Sequence, residues 1–171
     1  MKTLFLFSAA MAGCLLGATA ASAQQLAKDA ERYAKTLQTD KDPERRAQAA
    51  RDLAGVAAVK VAYVRPHTAV LLEAFQRDSD TQVRVAAGTA LLAFQPESKD
   101  LVPAVLALLQ NEKEPGAVLG VAARLAAAHQ AKDAIPALQA LKQREEAKDD
   151  PKLRDQRLLQ AVKQSLQVLT K

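Results

Sequence analysis

Tryptophan is absent, aromatic residues make up 4% of the 171-residue chain, and there is one cysteine, Cys14. A lone cysteine cannot close a disulfide within the chain. It also lies in the apolar N-terminal stretch, so the rest must be held by packing, with no thiolate for a metal or a substrate. Scarce aromatics remove the platforms on which single-stranded nucleic acid stacks. Histidine is as rare: His67 opens one expected helix and His129 closes another. Neither shares a helix face with a second ligand type, so both read as solvated helix-end residues rather than metal ligands.

Other catalytic signatures are missing too. There is no G-x-S-x-G, no glycine-rich phosphate loop and no dinucleotide fingerprint. Ser79 and Ser98 sit in expected turns, and Ser165 has no histidine near it in sequence. Glu145-Glu146 and Asp149-Asp150 are adjacent pairs, and adjacent residues diverge in direction, which suits neither general acid–base pairing nor a shared site. Not an enzyme is therefore the expectation, with no cofactor and no metal.

Hydrophobic residues make up 49% of the chain and charged residues 25%, with a formal charge of +5. The charges are interleaved, as on a solvated surface, and nucleic acid is not expected as a partner. Alanine, the best helix former, is abundant. The six glycines and seven prolines fall mostly at punctuation points, and no stretch alternates convincingly like a strand. The fold class is all-α.

Residues 1–23 form a targeting segment. Lys2 is its only charge, an apolar run follows, and Ala21-Ser22-Ala23 offers a small-residue cleavage site before Gln24. The mature domain is then 24–171, exported to the periplasm or secreted, with no stable membrane insertion once the signal is removed. Met11-Ala12-Gly13-Cys14 supplies the alternative, a lipoprotein box acylated at Cys14, although Leu15-Leu16 departs from the usual polar tether.

Eight helices follow from the 3.6-residue apolar period: 25–39, 44 to about 63, 67–77, 81–94, 101–111, 117–129, 134–146 and 152–169. Asp42, ahead of Pro43, is expected to cap the second; Asp100 and Asp133 are expected to cap the fifth and seventh. Pro103 and Pro136 each lie in a first turn, where backbone N–H groups lack helical partners. The β-branched residues Val56, Val59, Val61 and Val64 leave the end of the second helix open.

The helices repeat in pairs. An offset of 34 maps Leu91 to Leu125, one of 33 maps Asp100–Val105 onto Asp133–Leu138, one of 38 returns Asp80 and Arg84 to Asp42 and Arg46, and one of 70 carries them to Asp150 and Arg154. Four hairpins result, at about 25–64, 66–95, 100–129 and 133–171. The elements Asp78-x-Asp80-x-x-Val83-Arg84-x-x-Ala87 and D-x-x-P-A resemble the HEAT-repeat family, especially its short bacterial branch related to phycobilisome-lyase repeats. That resemblance covers the whole mature chain. It implies a right-handed α-solenoid of about four hairpins, in which Asp42, Arg46, Asp80, Arg84, Asp100, Pro103, Asp133, Pro136, Asp150 and Arg154 are structural, the aspartates capping turns and the arginines pairing between repeats. The third hairpin departs, with Val118 where arginine is expected, so an Asp–Arg ladder should break there. Stacked hairpins bury stripes that none could bury alone.

The expected function is an exported HEAT-repeat scaffold or adaptor for an unidentified protein partner in the bacterial envelope. The alternative is an accessory or lyase-like factor of an envelope enzyme system. In such solenoids the second helices line the concave face. By the offsets of 34 and 38, the outward contact positions are Val85 and Thr89, Leu119 and Ala123, and Ala47 and Arg51. Cleavage after Ala23 predicts that the exported protein loses 23 residues, which intact-mass measurement reads directly; a lipidated species starting at Cys14 would replace that result.

Overall fold

The structure is a computed structural model that describes residues 12–97 and 99–171, with side chains from residue 22 onward except that of Pro151. Residues 1–11 of the expected targeting segment, and the side chain of Cys14, lie outside it. Among the described residues there are eight α-helices and no strand: α1 Ala12–Thr39, α2 Pro43–Val59, α3 Thr68–Arg77, α4 Thr81–Phe94, α5 Leu101–Gln110, α6 Gly116–Ala128, α7 Ile135–Glu146 and α8 Gln156–Leu169. None is long and apolar enough to cross a membrane.

Local chemistry explains the boundaries. Asp42 and Asp80 stand in extended conformation before α2 and α4, and their carboxylates accept the Glu44 N–H in one case and the Gln82 and Val83 N–H groups in the other. Asp100 precedes α5 as expected, but its side chain makes no capping bond, and Asp133 lies inside a 3-10 turn, Lys132–Ala134, with α7 starting after it. The D-x-x-P spacing removes one of the two possible donors and leaves the other, the one that Asp42 uses alone at Glu44. A capping carboxylate takes its hydrogen bond from the second or third N–H of the helix, and three residues on stands Pro103 or Pro136, which has none. The backbone at Asp100 is also helical (φ −89°, ψ −17°), not extended as at Asp42 and Asp80.

The end of α2 and the start of α8 are corrected too. After Val59 the chain makes two 3-10 turns, Val61–Tyr63 and Arg65–His67, pinned by fully buried Val64 between them. The break comes at Lys60, whose backbone is extended (φ −156°, ψ 103°) and so leaves the helix. At the other end, residues 151–153 form a 3-10 turn, and the cap of α8 is Asp155, whose carboxylate accepts the Leu158 N–H. Asp150 instead holds its own turn through the Lys152 N–H.

Each odd helix packs on the even helix that follows it. The odd helices also touch in series, α1 to α3 to α5 to α7, and the even helices touch in series, α2 to α4 to α6 to α8. The even row makes the closest packing, because it meets through small residues: Ala49 and Ala50 of α2, Ala86, Ala87, Gly88 and Ala90 of α4, and Ala122, Ala123 and Ala126 of α6 are all buried. Deepest is α6, enclosed by α4, α5 and α8, with Val118, Leu119, Val121, Ala122, Ala123 and Leu125 fully buried. At the ends, α1 buries one narrow stripe (Ala30, Ala34, Leu37) and α8 buries Leu158, Leu159, Ala161, Val162, Ser165 and Leu169.

Glycine is required at position 88. A Cβ there would stand 2.6 Å from Val121 Cγ1 and 2.7 Å from the Phe75 ring, so any side chain pushes α4 off both neighbours. Gly55, in contrast, has nothing within 4 Å of an added Cβ. Gly88→Ala is expected to lower stability by about 1–3 kcal/mol through overpacking. Gly55→Ala is expected to raise it by about 0.5–1 kcal/mol through helix propensity. Urea unfolding of the two variants reads both signs.

Candidate functional site

The helix caps supply a common register for the even row. Counting from Asp42, Asp80, Pro115 and Asp155, the residues that precede α2, α4, α6 and α8, the fourth position is Arg46, Arg84, Leu119 and Leu159. The fifth is Ala47, Val85, Gly120 and Gln160, and the ninth is Arg51, Thr89, Arg124 and Gln164. This register differs by one residue in α6, and by five in α8, from the one given by matching letters. It therefore reassigns several positions.

Fourth-position residues face the neighbouring turn. Arg46 grips Asp78 with two parallel bonds, Nε to Oδ2 at 2.8 Å and Nη2 to Oδ1 at 2.7 Å, and its Nη1 donates to the Asp40 and Lys41 carbonyls. Asp78 Oδ1 also accepts the Asp80 N–H, tying the pair to the cap of α4. One repeat on, Arg84 Nη2 meets Glu114 Oε2 at 2.5 Å while its Nε donates to the Phe75 carbonyl. Glu114 thus takes the role played by Asp78 one hairpin earlier. At the third step Leu119 replaces arginine and is fully buried, and at the fourth Leu159 is nearly so. The ladder has two ionic steps and then becomes apolar. Arg154, expected to match Arg84, lies outside α8 and donates to the Lys148 carbonyl.

Leu119 and Ala123 are therefore core residues, both fully buried, and Ala47 is 3% exposed; none can offer a contact surface. Val85 is half-buried, and Thr89 and Arg51 are exposed. Thr89 Oγ1 donates to the Val85 carbonyl, and Arg51 Nε donates to Gln48 Oε1. What the outward positions of α4, α6 and α8 build together is a groove of about 570 Å3. Its walls include Val85, Gly120, Arg124, Arg157, Gln160 and Gln164. Gly120 keeps the floor low, since an added Cβ would just touch Ala161 at 3.8 Å. Arg124, Arg157, Gln160 and Gln164 were not singled out from sequence. The helix caps were the signal that finds three of them, once Pro115 and Asp155 are taken as the residues before α6 and α8.

A buried acid fixes the far wall. Glu145 is 3% exposed at the end of α7 and accepts Lys148 Nζ at 2.6 Å and the Asp155 N–H at 3.0 Å. Burial works against its ionisation, but the bonds from Lys148 and Asp155 and the charge of Arg144 outweigh it, so its pKa lies below the ordinary value. Asp155 is thereby held at both backbone and side chain, and a Cβ on Gly116 would fall on its carboxylate. Asp78 behaves like Glu145: burial raises its pKa, the Arg46 and Asp80 bonds lower it, and the net shift is downward. His129 is shifted down by burial alone. Among the described residues no group of three or more His, Cys, Asp or Glu side chains could hold a metal.

Comparison with protein-family models, with curated proteins and with solved structures gave no match.

Both depressed carboxylates stabilise the fold above their unfolded pKa of about 4 and lose that contribution as pH falls through their lower folded values. Stability should therefore drop as pH falls below about 4. Arg46→Ala is expected to cost about 2–3 kcal/mol at pH 7, because it leaves Asp78 with a nearly buried, uncompensated charge. Asp78→Asn should both destabilise and flatten the acid limb. Urea midpoints measured from pH 2 to pH 7 give both quantities.

Proposed function

We propose that this chain is an exported, HEAT-like α-solenoid that acts as a protein-binding scaffold in the bacterial envelope. The observation that carries the reading is positional: the fifth residues of α4, α6 and α8 (Val85, Gly120 and Gln160) and the ninth of α6 and α8 (Arg124 and Gln164) line one groove where these helices meet. Two parallel rows of helices, packed pair on pair, are what a stack of helical hairpins requires. Export is supported by the basic, apolar and small-residue pattern of residues 1–23. Binding is favoured over an accessory catalytic role by the state of the groove's own carboxylate. Asp155 Oδ1 accepts the Leu158 N–H, and the group lies against Gly116, so it serves the fold.

Leu119→Glu would bury a charge and unfold the chain, so it cannot report on binding. The test uses exposed positions instead. A photo-reactive p-benzoylphenylalanine is placed at Thr89, at Gln164 or, on the odd row, at Gln139, and cells are irradiated. Adducts to another protein from positions 89 and 164, and not from 139, are expected. Equal labelling from all three, or none from 89 and 164, would remove the groove from the account.

A further inference from the structure

We infer that the occupant of this groove is an extended acidic peptide segment, an inference that rests on the scaffold reading above. The observation is the distribution of satisfied and unsatisfied arginines. Arg32, Arg45, Arg46, Arg84 and Arg144 each have a carboxylate within ion-pair distance, and Arg154 donates twice to the Lys148 carbonyl. Of the rest, Arg65 and Arg77 lie before and at the end of α3, outside the groove, and the three arginines on the outward face of the even row, Arg51, Arg124 and Arg157, likewise have no carboxylate partner among the described residues. Arg51 Nε reaches only Gln48, and Arg124 Nε reaches only the Gly120 carbonyl at 3.2 Å. All three are exposed, and Arg124 and Arg157 stand in the groove wall itself.

The rest of the lining narrows the chemistry. Guanidinium forks match carboxylates in geometry as well as charge. Gln160 and Gln164 present amides that both donate to and accept from an extended main chain. Val85, Ala117 and Gly120 give a floor of small side chains that lets a backbone approach closely. The carboxylate inside the groove, Asp155, is tied to the start of α8, and Glu44 of α2 is outside the walls. No aromatic residue lines the groove, so the stacking that single-stranded nucleic acid needs is not provided there. A segment rich in Glu or Asp on a partner protein satisfies all of these features together.

The experiment is fluorescence anisotropy with the exported protein and labelled twelve-residue peptides alternating Ala with Glu, Gln or Lys, alongside a twelve-nucleotide single-stranded DNA. The Glu peptide is expected to bind about tenfold or more tighter than the Gln peptide, and the preference should shrink with added salt. Arg124→Gln and Arg157→Gln should each weaken it by about tenfold, the loss of one charge-assisted contact. Arg77→Gln, an exposed arginine of α3 away from the groove, should change nothing, and circular dichroism checks that every variant is folded. Equal affinity for the Glu and Gln peptides, equal affinity for the DNA, or insensitivity to both groove substitutions would each overturn the proposal. If the peptides fail while positions 89 and 164 still crosslink a partner in cells, the acidic partner falls and the groove stands. If crosslinking fails as well, both fall.

Discussion

The close approach of the even helices governs everything else in this molecule. Gly88 seats α4 directly against Phe75 of α3 and Val121 of α6, and runs of alanine do the same on either side. A row built from such small residues gains little apolar area per side chain. It compensates with many short contacts at near-crystalline packing density. The same choice explains why α6 is enclosed almost all round and why the groove exists. Helices that approach closely at their buried faces leave a trough at the outward face, and Gly120 at the fifth position of α6 adds no side chain to fill it.

Polar groups guide where that packing begins and ends. Arg46 with Asp78 and Arg84 with Glu114 link an even helix to the turn of the next hairpin, and Glu145 links the end of α7 to the start of α8. Ion pairs of this kind contribute modestly to net stability. Their geometry is strict, however, and a two-pronged Arg46–Asp78 contact tolerates few angles between hairpins. Where the ladder turns apolar, at Leu119 and Leu159, burial takes over the same job. The groove lies beside that apolar end, where α4, α6 and α8 meet.

Much of the architecture was legible in the residues. Apolar periodicity placed eight helices, and α4 matches its expected bounds throughout, because a capping aspartate with both its N–H donors starts it. The D-x-x-P signal misled about caps, since the proline that marks the first turn deletes one of the two N–H groups a cap can use and the backbone at Asp100 is helical where the capping aspartates are extended. A glutamate in the last turn of a helix is unfavourable against the macrodipole. Glu145 could have been flagged on that ground as needing partners, but Lys148 and Asp155 are visible as those partners only once the turn is closed.

Helix content and the pairing of helices are properties of the sequence, because propensity and a 3.6-residue stripe act over a few neighbours. The identity of the outward positions is not such a property. Letter matching put Leu119 and Ala123 outside, whereas the structure buries both and exposes Arg124 one residue later. A helix advances about 100° per residue, so a shift of one residue in a turn exchanges core for surface without changing composition or period. That shift is set by how Glu112–Gly116 closes against Arg84 and Asp155, contacts distant in sequence, and only the tertiary structure decides it.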